Sequence, residues 1–477
     1  MCGIGGLIDY EQGARALSDV GRHMARTLVP RGPDAGGEYL DDTALLVHRR
    51  LIVVDPAGGA QPMISPDGNI ILIYNGELYN TEDLRVLLLA KGHTFRGHSD
   101  TEVVLHAYLE WGEAAFERLN GIYAFALWDK RARRLVLCRD RLGVKPLFYS
   151  RLPGGFVFGS ELKTVLCHPA VEPRVNADGL RSILLLGPAR PPQCGIFAGV
   201  FALLPGHYAV LTADGFYTRP YWRLQAAPHP DTPEQTIIHT RELIEDAAAR
   251  QLVSDVPLCT FLSGGLDSSI LSMLAARAYQ KRNQQLHTWS VDYQDNEKYF
   301  TKSLFQPNSD EEYIGMMVDA IGSAHHEVVL ENPALCAALL PAVDARDLPG
   351  MADVDSSLLL FCAAVKKKFT VCQSGECADE LFGGYPWYHR EEILFEDTFP
   401  WSRSVDFRLS MLKDGVVSDG ADFVRQHYLD TCAAADKLPD DSPKDARMRE
   451  MFLLNLQWFM ATLLEGRVAN RYGGNAA

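Results

Sequence analysis

The sequence contains no Cys-x-x-Cys pair. Its ten cysteines, at positions 2, 138, 167, 194, 259, 336, 362, 372, 377 and 432, are scattered. A zinc ribbon or a thioredoxin-like dithiol therefore has no support, and the cysteines read as reduced, mostly buried thiols. No run of ~20 apolar residues is available to span a bilayer. The opening Met-Cys-Gly-Ile-Gly-Gly lacks the basic and long apolar regions of a signal peptide, so the cytoplasm is the expected compartment and no membrane partner is expected. Positive charge is scarce: 46 Lys and Arg face 61 Asp and Glu, a net charge of −15. Nucleic acid as the main partner is disfavoured, whereas one small anion needs only a local basic or backbone site. No internal repeat and no G-x-x-x-x-G-K-[ST] loop occur. What is present is 477 residues, 47% of them hydrophobic, enough for two or three domains.

The first part, residues 1–224, carries short apolar runs broken by Gly, Pro, Asn and Asp. Runs at 44–54, 69–74, 122–128, 135–139 and 156–159 have the length and composition of strands, with 129–134 as a hairpin loop. Two helices interrupt them. One follows Asn80 and Thr81, with Leu84, Leu87 and Leu88 on one face and Gly92 as its stop. The other opens at Ser99 or Asp100, buries Val103, Val104, Ala107 and Trp111, and ends before Gly112. Residues 225–235 are proline-rich and poor in apolar side chains, which makes them the linker. From 236 to 477 the texture becomes helical (236–252, 266–282, 356–367) alternating with short strands (257–262, 286–291, 368–372). That alternation predicts a parallel sheet with helices on both faces. The expectation is a two-domain chain, α+β followed by α/β.

A chain opening Met-Cys presents Cys2 as its first residue once the initiator is removed. Cys is a competent nucleophile, and an adjacent α-amino group with a pKa near ~8 serves as its general base. Alone, Met-Cys-Gly reads as an incidental small residue at a terminus. Four further motifs follow in order: Arg31-Gly32-Pro33-Asp34, His48-Arg49-Arg50-Leu51, Tyr74-Asn75-Gly76-Glu77-Leu78-Tyr79-Asn80 and Ser99-Asp100-Thr101-Glu102. With Cys2, this set resembles the class II glutamine amidotransferases, whose N-terminal-nucleophile domain, an αββα sandwich, hydrolyses glutamine to glutamate and ammonia. The resemblance implies Cys2 as nucleophile and the Asn75 amide with the Gly76 N–H as oxyanion donors. It also implies Arg50 on the substrate carboxylate, with Glu77 and Asp100 on its ammonium. Plainer readings stand beside these. Asn75-Gly76 also suits a two-residue hairpin turn, Asp100 a helix N-cap, Arg50 a solvated pair with Arg49, and Ser99 a structural hydroxyl.

In the second half, 257–269 reads as an apolar strand, a Ser-Gly-Gly turn and a helix start. Backbone N–H groups in such a turn at a helix N-terminus make an anion site. Ser263-Gly264-Gly265-Leu266-Asp267-Ser268 resembles the PP-loop of the N-type ATP pyrophosphatases, which adenylate a carboxylate and release pyrophosphate. A second cluster, Ser374-Gly375-Glu376-Cys377-Ala378-Asp379-Glu380, follows a predicted strand. Its carboxylates are placed to hold Mg²⁺ against a triphosphate, or they merely complement a helix dipole. The resemblance implies ATP contacts at Leu262, Ser263, Gly264, Gly265, Asp267, Ser268, Val291, Ser374, Gly375 and Glu376, with Mg²⁺ on Asp267 and Asp379. Leu262 and Val291 would act through their backbones.

The two halves together resemble the glutamine-hydrolysing asparagine synthetases from Cys2 to about Glu465. The resemblance implies a ligase that forms β-aspartyl-AMP from aspartate and ATP, and passes ammonia from Cys2 through an internal tunnel to give asparagine, glutamate, AMP and pyrophosphate. A homodimer is the most it implies about assembly. Two departures bear on this. Position 377 is Cys where the family pattern has Gly, which perturbs the loop only if that residue needs a positive φ. Residues 466–477 match nothing expected, so a chain cut short at its carboxyl end, keeping glutaminase and losing synthetase activity, is one reading. The others are an amidotransferase for a different carboxylate and a regulatory subunit.

Overall fold

A computed structural model describes residues 2–301 and 310–466. Met1 and, of the departure expected over 466–477, all but Gly466 lie outside the described residues.

The first part folds into two antiparallel six-stranded sheets. One has the order Val200–Ala202, Phe148–Leu152, Gly155–Gly159, Gly3–Asp9, Ala44–Arg50, Ala35–Leu40. The other runs Gly215–Pro220, His207–Thr212, Arg134–Arg139, Gly121–Asp129, Ile70–Leu78, Met63–Ile64. Period-two alternation decides what lies between them. Ile4, Ile8, Ala44 and Leu46 of the first sheet meet Ile71, Ile73, Ala124 and Ala126 of the second in one buried cluster. The odd partners Leu7, Leu45 and Val47 face outward, where Met24 of helix Ser18–Thr27 covers them. Leu72, Tyr74 and Leu78 face the other way, against Leu84, Leu88, Val103, Val104 and Ala107 of helices Thr81–Ala90 and Asp100–Trp111. The layers are αββα, as expected.

Several local expectations need correction. Leu87 does not share the buried face of its helix and is 49% exposed, because the stripe follows Leu84 and Leu88 at i and i+4. The strand expected over 44–54 ends at Arg50, and the one expected over 69–74 runs to Leu78. Asn75-Gly76 is therefore not a turn: residues 70–78 all pair with Gly121–Asp129.

Residues 221–232 form neither helix nor strand, and helix Pro233–Arg250 begins with a capping box between Thr232 and Gln235. The second part contains a parallel sheet ordered Ala324–Leu330, His287–Tyr293, Leu258–Phe261, Val371–Gln373. Leu258 and helix Leu266–Lys281 pack on one face, and Cys259 with helix Ala352–Lys366 on the other. The strand order reverses between Leu258–Phe261 and Val371–Gln373, the topological switch point at which doubly wound sheets bind ligands. Beyond it lies a helical region. Leu185, Leu186 and Ala189, from the amino side of the linker, are buried there against Phe399, Tyr428 and Trp458.

Candidate functional site

The expected glutaminase residues gather at one end of the sandwich. Gly3 pairs with Arg49, so Cys2 stands beside Arg50 at the end of the adjacent strand. The Cys2 thiol points to the Leu51 carbonyl at 3.9 Å, and the Cys2 carbonyl accepts from Arg31 Nε at 3.1 Å. Burial pushes the thiol's pKa up, partly offset by the Leu51 contact and the Arg50 charge. Arg50 is no surface partner of Arg49. Its guanidinium is buried and donates to the carbonyls of Val54, Asp55 and Pro56 at 3.0, 2.7 and 3.2 Å. Arg49, on the opposite face by strand alternation, bonds the Gly32 carbonyl.

Asn75 is fully buried, and neither its amide nitrogen nor its amide oxygen has a hydrogen-bond partner among the described residues. An orphaned amide costs on the order of 1–3 kcal/mol in an apolar setting, so its presence calls for an external partner. The backbone of its strand points the same way. Tyr123 exchanges bonds with Asp140 on its far side, so its pairing with Gly76 carries no ladder bonds. The amides of Tyr74, Gly76 and Leu78 therefore face the open edge past Met63–Ile64, whose pairing stops at Leu72. Tyr74 N–H is taken by Gln61 Oε1 at 2.6 Å and Leu78 N–H by Asp100 Oδ2 at 3.0 Å, which leaves Gly76 between them. A Cβ at residue 76 would lie 2.5 Å from that of Tyr123, so glycine is needed for the neighbouring strand's approach.

His48 ties the sheets together here. Its Nε2 lies 3.2 Å from the Tyr74 carbonyl, and since a carbonyl only accepts, this nitrogen carries the proton. Burial lowers its pKa to about 3, so it is neutral. Asp100 is not the N-cap. Ser99 is, accepting from Glu102 N at 3.4 Å, which frees the Asp100 carboxylate to receive Leu78 N–H and the Tyr74 hydroxyl at 3.1 Å. Burial and the neighbouring Asp100 push Glu77 up to about 8, and burial raises Asp100 as well. Two crowded carboxyls with raised pKa values form a site that an ammonium would relieve.

The second cluster forms at the switch point. Thr260 pairs with Gln373, so the loops after the two strands leave side by side. A Cβ on Gly375 would sit 2.9 Å from both Asp267 Cβ and Ser268 N, so the loops are in contact. Ser268 Oγ donates to the Gly265 carbonyl at 3.1 Å and lies 3.0 Å from Ser263 Oγ, which fixes the turn. Leu262 N–H donates to the Trp289 carbonyl at 2.9 Å, joining the loop to the strand that carries Val291. At that strand's carboxyl end lies a cavity of about 470 Å³ lined by Asp292, Tyr293, Asp295, Glu297, Lys298 and Val329. Burial raises the pKa values of Asp267 and Asp379, and the charge of Asp379 raises Asp267 further. Among the described residues no group of three or more His, Cys, Asp or Glu could hold a metal ion by itself. A two-carboxylate set suits Mg²⁺, whose remaining ligands come from phosphate and water. Ser374 Oγ donates to Glu376 at 3.3 Å. Cys377 sits at φ 73°, ψ 9°, so the position does require the left-handed conformation that glycine adopts freely.

Sequence reading did not single out Arg31, Asp34, Asp55, His98 or Asp255 as site residues. The Arg-Gly-Pro-Asp motif held a signal for two of them: Arg31 holds the Cys2 carbonyl and Asp34 accepts Ile52 N–H at 2.8 Å. The others act across long sequence separations that carry no local pattern.

Comparison with known proteins identifies both domains. Residues 1–222 match the family model described as a glutamine amidotransferase domain, and residues 239–473 match the one described as asparagine synthase. The chain is 46% identical over 470 residues to asparagine synthetase [glutamine-hydrolyzing] 3 of Bacillus subtilis, covering 98% of this chain and 76% of that protein. It is 31% identical to synthetases 2 and 1 of the same organism, covering 81% of this chain each time and 52% and 59% of theirs. Against those two the chain spans somewhat more than half their length. With two domain matches in this order and a relative of that identity, the chain belongs to the glutamine-hydrolysing asparagine synthetase family, ATP-dependent ligases that form a carbon–nitrogen bond.

Proposed function

We propose that Cys2 attacks the side-chain amide of glutamine and that Asn75 with the Gly76 N–H receives the oxyanion. Arg50 would bind the substrate carboxylate, and Glu77 with Asp100 its ammonium. The observation that carries this reading is the Asn75 amide, wholly buried and unpartnered at the end of the sandwich where Cys2 stands. In the second domain, Ser263, Gly264, Gly265 and Ser268, with Ser374, Gly375 and Glu376, would hold the phosphates of ATP. Leu262 and Val291 would border the base. Asp267 and Asp379 would hold Mg²⁺, which when bound screens the triphosphate charge. Aspartate would be adenylated there with release of pyrophosphate, and ammonia from the first domain would then attack the β-aspartyl-AMP and displace AMP. No described helix is long and apolar enough to cross a membrane. A cytoplasmic homodimer with small-molecule substrates is the assembly and setting in keeping with the family.

Glutamate release from glutamine tests the first half. Cys2→Ala should abolish it, and Asn75→Ala should lower kcat by about 10²–10³-fold, the cost of losing one oxyanion donor. Unchanged hydrolysis in Cys2→Ala would refute the assignment. Pyrophosphate release with aspartate, compared with a panel of other carboxylic acids, tests the second half. Release with another acid but not aspartate would reassign the substrate.

A further inference from the structure

Residues 51–58, which follow strand Ala44–Arg50, contact Cys2 and Arg50 and brace the turn that precedes Asp100. The Leu51 carbonyl faces the Cys2 thiol. The Val54, Asp55 and Pro56 carbonyls hold the Arg50 guanidinium. The Asp55 carboxylate, 4% exposed, accepts Gly58 N–H at 2.7 Å, His98 N–H at 2.8 Å and Ser99 N–H at 3.1 Å. It thereby fixes the turn from which Asp100 starts its helix. A Cβ at residue 97 would lie 2.1 Å from Asp55 Oδ2, so the turn is shaped around this carboxylate.

The same segment is anchored from the other domain. Asp255 Oδ2 accepts Asp55 N–H at 2.8 Å and lies 2.8 Å from His98 Nε2, while Asp255 N–H donates to the Val53 carbonyl at 3.0 Å. Leu51, Val53 and Val54 pack on Val256 and Val371. Asp255 is three residues before strand Leu258–Phe261, which leads into the Ser263 loop, and Val371 opens the strand that leads into the Ser374 loop. The first domain thus has its glutamine-facing carbonyls and its Asp100 turn held by the backbone that also carries the phosphate loops.

We infer that Asp255, a residue of the synthetase domain, is a positioning residue for glutamine recognition, acting through Asp55 on Arg50 and through His98 and Ser99 on Asp100. This rests on the proposed glutamine-site roles. The His98–Asp255 contact is largely exposed and as an ion pair contributes little. The weight falls on the bond from Asp55 N–H to the Asp255 carboxylate, since the bond to Val53 comes from the Asp255 backbone and is kept by any side chain.

The test uses the full chain and two electrophiles for Cys2: iodoacetamide, which has no carboxylate or ammonium to be recognised, and a diazoketone analogue of glutamine, which has both. Asp255→Ala should raise KM for glutamine about tenfold, the effect of losing one or two hydrogen bonds, and leave kcat within about threefold. Labelling by the diazoketone should slow in parallel while iodoacetamide labelling holds. Asp255→Asn, which keeps an oxygen for Asp55 N–H, should recover most of the loss and serves as the folded comparison if the alanine variant does not fold. A KM within twofold of the parent overturns the inference, as does an equal loss of labelling by both reagents, which marks general loosening. A parent chain that neither hydrolyses glutamine nor labels at Cys2 removes the underlying reading as well. An active parent with unchanged Asp255→Ala removes this inference alone.

Discussion

Cys377 sits where a glycine would be unstrained, and the consequence can be worked out. At φ 73°, ψ 9° it caps the five-residue helix Ala378–Phe382, between Glu376 and Asp379. A non-glycine residue in this region carries roughly 1–2 kcal/mol of steric cost. Cys377→Gly removes that cost but widens the unfolded ensemble, an offset of about 0.4–1 kcal/mol. The net expectation is a gain of about 0.5 kcal/mol. Cys377→Asn should fall near the parent, since asparagine tolerates this conformation. Cys377→Val, branched at Cβ, should lose about 1–2 kcal/mol. The order Gly, Asn, Cys, Val is thus spread over about 2 kcal/mol, ten- to thirty-fold in equilibrium constant. Urea unfolding of the full chain reads it, followed by tryptophan fluorescence because Trp387 is buried close by in sequence. The midpoint should move at constant slope. A valine variant as stable as the parent, or a glycine variant less stable by more than about 0.5 kcal/mol, would refute the argument that backbone conformation governs this position.

Two further outcomes follow from the carboxyl pairs. Glu77 and Asp100 hold protons in the folded chain at pH values where the unfolded chain has lost them, so the folded state binds more protons and stability falls as pH rises from about 5 towards 8. Glutamine, whose ammonium offsets the ionised pair, should stabilise the Cys2→Ala chain more at pH 8 than at pH 6; Glu77→Gln should flatten that difference, and thermal unfolding with and without glutamine measures both. At the second site Asp379→Asn should remove the Mg²⁺ dependence of ATP binding while leaving binding in EDTA equal or tighter, since one negative charge near Asp267 is gone. Isothermal titration in the two buffers decides it, and an unchanged Mg²⁺ dependence would exclude Asp379 as a ligand.

What the sequence made legible was whatever obeys a short period or a short motif. The length and composition of short apolar runs announced the strands around Leu46, Ile73 and Ala126, and Ser-Gly-Gly at a strand end announced the loop at 263–265. Arg49-Arg50 was ambiguous as a dipeptide, yet strand alternation alone separates the two, one to Gly32 and one to the carbonyls of 54–56. The turn that Asn75-Gly76 also suited does not form, because a local turn preference is weaker than nine residues of strand pairing. Leu185 and Leu186 gave no sign that they belong in the other domain's core, since burial there is set by Phe399 and Trp458, more than 200 residues away. Cys377 concealed its own backbone: a glycine would have signalled a positive φ, and cysteine does not. The Asp255 contacts to Asp55 and His98 span 200 and 157 residues and leave no periodic trace.

The two sheets present backbone N–H groups in different ways, and the difference suits their chemistry. In an antiparallel edge strand every second amide points out of the sheet. Along Ile70–Leu78 those are Tyr74, Gly76 and Leu78, and side chains of Gln61 and Asp100 take the outer two. Among the described residues one directed donor remains, next to one buried amide, an arrangement suited to the single oxyanion proposed there, which appears only in the transition state. In a parallel sheet the strand amides are consumed by neighbours on both sides, so free donors occur only past the strand ends. There they come in a group, from the two glycines of the turn and the first turn of Leu266–Lys281, the Ser263 N–H being taken by Ser268 Oγ, an arrangement suited to the proposed polyanion, bound already in the ground state. Segment 51–58 lies between these arrangements, its carbonyls turned to Arg50 and its apolar side chains to Val256 and Val371. A shift of the strand that follows Asp255 cannot leave that segment where it is without breaking the bonds to Val53 and Asp55. The pocket proposed for glutamine is therefore mechanically tied to the loops proposed for phosphate.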